Sequence, residues 1–173
     1  MPLAVALRLD TVTSQKIEAI WRVLAEEGID HDREALAYPP HVTLGIYPDD
    51  VPLAALQATL QAVTATWHRL PLSLAGFGLF VEPAPVVWIA PVVTTALLAL
   101  HGELQTALGH LSGHPHYRPD AWVPHVTLSG SLRDPEAAIR TILPHWAPCT
   151  GVLEGVDLVR FRPVEIVWQR QLP

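Results

Sequence analysis

The sequence has one cysteine, Cys149, so no disulfide can form within the chain. A reducing compartment suits such a chain, and Cys149 reads as a buried apolar side chain near a strand start. It also lacks an apolar run of the ~20 residues that a membrane helix needs. The N-terminus, Met1 to Asp10, has no basic leader, and Arg8 and Asp10 cut its apolar stretch short. No signal peptide is read there, and the expectation is a soluble cytoplasmic monomer without membrane contact. Basic residues are scarce as well, 11 against 17 acidic, which gives a net charge of −6. A surface tracking a long phosphate backbone would be basic, so DNA and tight, sequence-independent binding of long nucleic acid are not expected. A nucleotide or an RNA end held by a few local groups stays open. Half of the 173 residues are hydrophobic, enough to build the core of one domain over 1–173.

What the sequence does have is one pentapeptide twice. Pro40-His41-Val42-Thr43-Leu44 recurs as Pro124-His125-Val126-Thr127-Leu128, 84 positions later (125 − 41 = 84). Each copy reads as a strand, near 41–47 and 125–131. Side chains alternate faces along a strand, so Val and Leu can enter a core while His and Thr share the other face. By the same parity Tyr47 falls on the face of His41. Facing copies would bring two imidazoles and two hydroxyls onto one small anion.

The surrounding pattern repeats too. The apolar spacing of Ile17, Ile20, Trp21 and Leu24 predicts a helix that Ser14 can cap and Gly28 ends. A loop over 30–40 leads to the first motif. Asp50 is placed as the cap of a second helix carrying Leu53, Leu56, Leu60, Val63 and Trp67. Two strands over 71–81 and 86–92 follow, joined by a turn at Glu82 to Pro85. Thr94 or Thr95 starts a third helix, with Leu97, Leu100, Leu104, Leu108 and Leu111 on one face. Asp134 caps a fourth, with Pro135 in its first turn. Strands over 152–162 and 164–171 close the chain. Helix, motif strand, helix, strand, strand therefore appears twice, which reads as an internal duplication with an α+β architecture.

The chemistry of the repeat is acid–base. Histidine changes charge near neutral pH. Opening a phosphodiester in line needs a base at the attacking oxygen and an acid at the leaving oxygen. These lie on opposite sides of phosphorus, so two imidazoles on facing strands suit them. Thr43 and Thr127 can donate to the non-bridging oxygens. Neither a metal nor another cofactor is required by this scheme. The competing reading, a strand with a polar outer face, does not explain the same His and Thr twice. His101, His110, His114 and His116 cluster, but no Cys or acidic residue at matching spacing completes a metal site. Arg118 is a candidate phosphate contact, Tyr117 and Trp122 are candidates for stacking on a base, and Trp122 is equally placed for the core. Arg160 and Arg162 read as a plain exposed face. Gly76 and Gly78 are not followed by a helix N-terminus and do not make a phosphate loop.

Two His-x-Thr motifs in a duplicated α+β chain resemble the 2H phosphoesterase superfamily, which includes 2′-5′ RNA ligases and 2′,3′-cyclic-nucleotide phosphodiesterases. Leu3 to Leu7 resembles the family's opening strand. Gly76 to Phe80 with Val87 to Ala90 resembles its Gly-x-Phe and Trp-containing strand pair, and Tyr117 to Pro119 with Trp122 to His125 its approach to the second motif. The resemblance implies a bilobal fold with a pseudo-twofold groove, His41 and His125 as the acid–base pair, and Thr43 and Thr127 as phosphate ligands. RNA ligase-like members often carry Arg two residues beyond the second Thr. Here Ser129 stands at that position as a substrate contact, followed by Gly130, and a cation is missing. The implied reaction is hydrolysis of a 2′,3′-cyclic phosphate on a nucleotide or RNA terminus. Joining or cleaving 2′-5′ linkages is the alternative inside the family, and a nucleotide-binding module without turnover the alternative outside it.

Overall fold

The computed structural model describes residues 1–111, 113–130 and 132–173. Its strands form one antiparallel sheet in two lobes that share a single long strand. In chain order the strands are β1 (Leu3–Leu9), β2 (His41–Tyr47), β3 (Leu70–Phe80), β4 (Val86–Pro91), β5 (Val126–Ser129), β6 (Cys149–Arg160) and β7 (Glu165–Gln171). The helices are α1 (Thr11–Glu26), α2 (Asp32–Ala35), α3 (Leu53–Val63), α4 (Thr95–Leu108) and α5 (Pro135–Ile142). The sheet order is β2-β1-β6-β3-β4-β5, with β7 on β6. Leu153 is where β6 passes between the lobes. Up to it, from Cys149, β6 pairs with β3; beyond it, to Arg160, β6 runs between β1 and β7. The motif strands β2 and β5 end the path, one in each lobe, and approach each other across the gap.

The helices' apolar faces explain how this closes. Ile17, Ile20, Trp21 and Leu24 of α1, Leu56 and Leu60 of α3, Leu97, Leu104 and Leu108 of α4, and Ile142 of α5 are all buried in one core. β1 is buried along almost its whole length because it is covered on both faces. Leu3, Val5 and Leu7 join the helix-side core. Ala4 belongs to a small second cluster with Tyr38 and Val159 on the other side. The lobes also exchange helices: α1 packs beside β5, and α4 beside β2.

Helix starts follow the expected chemistry at Thr94, which accepts from the Leu97 N–H, and at Asp134, which accepts from the Ala137 N–H. Two differ. Asp10, not Ser14, caps α1, because its carboxylate reaches both the Thr13 N–H and the Val152 N–H and so ties the helix to β6. Ser14 is buried inside the first turn. α3 begins after Pro52 with no side-chain cap, so Asp50 does not serve there. The expected loop over 30–40 contains the single-turn helix α2. β5 is shorter than the expected 125–131, and position 131 lies outside the described residues.

Candidate active site

Each motif histidine is oriented by the residues just before it. His41 Nδ1 lies 2.8 Å from the Pro39 carbonyl oxygen, and His125 Nδ1 lies 2.7 Å from the Val123 carbonyl oxygen. A carbonyl only accepts, so Nδ1 carries the hydrogen in both rings. That leaves Nε2 of each as the site that takes or gives a proton. The intervening prolines, Pro40 and Pro124, explain the shared geometry. A proline fixes its own φ and holds the preceding residue extended, which sets the direction of that carbonyl.

Both motifs alternate as expected up to Leu44 and Leu128: His and Thr half-buried, Val and Leu buried. His41, Thr43, His125 and Thr127 line one groove of about 200 Å³, with Tyr38, Arg33, Ile46, Tyr117 and Arg162 around them. It continues into a hollow of about 400 Å³ that shares His125, Thr127, Tyr117 and Arg33 and adds Phe80 and His116. Two indoles brace the floor from behind, one from α1 and one from the loop before β5. Trp21 of α1 donates its indole N–H to the Thr127 carbonyl at 3.2 Å, and Trp122 donates to the Thr43 carbonyl at 3.0 Å.

Beyond the threonines the parity reading fails, in both strands for one reason. β1 pairs Val5 with Gly45 and Ala6 with Thr43, so Leu44 has no partner. β4 pairs Val87 with Ser129 and Trp88 with Thr127, so Leu128 has none. Each is a β-bulge, and an extra residue turns the following side chains to the opposite face. Ile46 therefore comes to the groove. Tyr47, expected on the His41 face, turns into the core, and burial pushes its phenol up to about 12. Gly45 permits this: a Cβ there would sit 2.8 Å from the Tyr47 hydroxyl oxygen. Ser129 likewise turns inward, is fully buried, and donates to Asp30 Oδ2 at 2.7 Å instead of facing a substrate.

The remaining expectations separate in the same way. Tyr117 does line the groove. Burial pushes its phenol up to about 12, with the Thr43 side chain pulling the other way. Trp122 does not present a stacking face. It is buried, with the His101 ring stacked on it at 3.8 Å. Arg118 lines a neighbouring hollow of about 620 Å³ that shares Ile46 and Tyr117 with the groove but contains neither motif histidine. That hollow is the larger, but all four motif side chains line the groove. Arg162, read as a plain exposed residue, lines the groove and pairs with Asp32, while Arg160 pairs with Glu165. No group of three metal-capable side chains occurs among the described residues, and His101 is taken up by the Tyr117 carbonyl.

Sequence reasoning missed Tyr38, Phe80 and Arg33. Tyr38 packs its ring 4.8 Å from His41 and donates its hydroxyl to Asp157 at 2.9 Å. Phe80 sets its ring edge-on to His125 at 5.0 Å and to His116 at 5.3 Å. Tyr38 stands three residues before His41 as Trp122 stands three before His125, which was a usable signal.

Electrostatically the groove by itself disfavours protons. Removal from water lowers the His41 pKa to about 4, against its carbonyl bond, with Arg33 and His125 adding repulsion. Burial also lowers His125, with His116 adding repulsion. Both rings are only half-buried by area, so their open edges still meet the groove. An anion between them reverses the balance and favours an imidazolium. The arrangement thus brings two imidazoles, two hydroxyls and nearby guanidinium groups to one groove.

The family model of the 2′-5′ RNA ligase superfamily matches residues 9–165. The chain belongs to that superfamily. Solved structures share its fold over nearly the whole length. The protein TT0787 of Thermus thermophilus is 19% identical, with 99% of this chain and 98% of that one covered and a TM-score of 0.70. A structure described as a phosphoesterase is 17% identical, covers 98% and 97%, and has a TM-score of 0.68. E. coli LigT complexed with 3′-AMP is 16% identical, covers 99% of each chain, and has a TM-score of 0.64. No curated protein sequence matches the chain significantly. In this member of the 2′-5′ RNA ligase superfamily, no helix among the described residues is long and apolar enough to cross a membrane.

Proposed function

We propose that the chain hydrolyses 2′,3′-cyclic phosphates of nucleotides or RNA ends by metal-independent acid–base catalysis. The observation that carries this reading is the matched pair of imidazoles, each held by an Nδ1–carbonyl bond beside a motif threonine in one groove. Water attacks phosphorus opposite the leaving ribose oxygen, and one Nε2 takes the water proton. The bond from phosphorus to the ribose oxygen breaks, and the Nε2–H of the other ring protonates that oxygen. The products are a phosphomonoester and a free hydroxyl. Thr43 and Thr127 donate to the non-bridging oxygens, where charge gathers. The two chambers, about 200 and 400 Å³, are in the size range of a small-molecule site. Phe80, His116 and Tyr117 give the outer chamber aromatic surface on which a base can stack. LigT in complex with 3′-AMP supports a nucleotide as the ligand class.

The test is incubation with the four 2′,3′-cyclic mononucleotides and a 2′-5′ dinucleotide in excess EDTA, with products separated by chromatography. The expected result is opening of the cyclic phosphates at an undiminished rate in chelator. Turnover of the 2′-5′ dinucleotide alone would replace this substrate, and activity lost in EDTA but restored by zinc or manganese would contradict the mechanism. Binding without any turnover would reduce the chain to a nucleotide-binding module.

A further inference from the structure

The groove contains a guanidinium with an unclaimed donor. Arg33, in α2, lines both the chamber holding the four motif side chains and the hollow beside it. Its side chain is 16% exposed, and its Nε is buried without a hydrogen-bond partner among the described residues. An unmet buried charged donor is costly, and an anion oxygen is the partner that best relieves it. Arg33 also stands close enough to His41 to repel a proton from it.

The segment carrying Arg33 is pinned to the second motif strand. Asp30 is buried, and its Oδ2 accepts from the Ser129 hydroxyl at 2.7 Å and from the Gly130 N–H at 2.9 Å. Its Oδ1 accepts from the Asp32 N–H at 2.7 Å. One carboxylate therefore joins the end of β5, two residues past Thr127, to the first residue of α2. The bulge that turns Ser129 away from the groove is what makes this junction. Asp32 in turn accepts from Arg33 Nη2 at 2.6 Å and pairs with Arg162. Two guanidiniums share the Asp32 carboxylate, so Asp32 alone does not neutralise both.

We infer that Arg33 is the cation that holds the substrate phosphate in this groove, delivered from α2 and positioned through Asp30 by Ser129 and Gly130 of the motif strand. This rests on the phosphodiester reading and deepens it. The Arg33 guanidinium donates to a non-bridging oxygen, beside the Thr43 and Thr127 hydroxyls. Asp32 competes with the anion for the guanidinium, so removing its charge releases attraction for the anion.

The experiment measures calorimetric binding of inorganic sulfate, which does not titrate near neutral pH, together with kinetics on a 2′,3′-cyclic mononucleotide and thermal melting. Arg33→Ala should weaken sulfate roughly tenfold to a hundredfold and lower kcat/KM by about 10²- to 10³-fold. Arg33→Lys should retain part of the affinity, and millimolar guanidinium chloride should restore part of the Arg33→Ala rate. Asp32→Asn should tighten sulfate. An Arg33→Ala variant that melts early yet binds sulfate like the parent would overturn the inference, as would a parent that binds no sulfate. If the parent binds sulfate in an Arg33-dependent way but opens no cyclic phosphate, the phosphodiesterase reading falls and the anion site stands. If the parent turns over and Arg33→Ala matches it in both assays, the reverse holds.

Discussion

Replacing His41 or His125 by Ala should each lower kcat on a 2′,3′-cyclic nucleotide by about 10²- to 10⁴-fold, the usual worth of a positioned general acid or base. Both rings present Nε2 as the transferable position, because Nδ1 is committed to the Pro39 or Val123 carbonyl. Losing either leaves one proton transfer without its group. The double variant should lose less than the product of the single losses, since the two act as a unit. Thr43→Ala and Thr127→Ala should cost less, roughly tenfold to a hundredfold each, because each removes one donor and leaves both proton transfers intact. Steady-state kinetics with melting curves as the folding control checks this. A fully active His125→Ala variant would remove the acid–base pair.

The largest effect on stability is expected at Asp157. It is completely buried in β6, and it accepts from Arg8 at 2.6 and 2.8 Å and from the Tyr38 hydroxyl. Tyr38 in turn packs against His41, so the network joins the sheet to the groove. Asp157→Ala would strand a guanidinium and a phenol. Breaking a buried charged pair costs about 3–5 kcal/mol. The lower end applies here, because the Arg8 side chain is 19% exposed and can reach water. Urea denaturation should show the midpoint falling with an unchanged slope. A shift within about 0.5 kcal/mol of the parent, the size of a surface substitution, would show that the network is not stabilising.

The readable part of this molecule was local. The strands, the Thr94 and Asp134 caps and the apolar helix stripes follow from spacing and capping chemistry over a few residues. So did the alternation from His41 to Leu44 and from His125 to Leu128. The misplaced residues depend on partners distant in sequence. Tyr47 is assigned by parity and Ser129 by its place in the family motif, and the alternation ends before both at bulges set by pairing with β1 and β4. Gly45, inside a strand, was the one local sign of such a bulge. Asp10 displaced Ser14 as a cap because Val152, on β6, offered a second N–H. Arg33 lies in a stretch without periodicity, and distant partners, the Asp30 junction to β5 and the Asp32–Arg162 pair, bring it to the groove. Trp122 went to the core because it caps the open edge of β2, a strand in the other lobe.

The central claim is that two imidazoles of opposite proton state open the cyclic phosphate, and the pH dependence of kcat/KM tests it most directly. The reactive free enzyme carries one proton shared by the pair. Burial lowers the pKa of both rings, so that proton is lost below the ordinary histidine value of about 6.5. The profile of kcat/KM should therefore be bell-shaped with its maximum on the acid side of that value, its limbs belonging to the coupled pair. The maximum of kcat should lie at higher pH, because the bound anion favours the imidazolium. A profile flat from pH 5 to 8 would contradict the account.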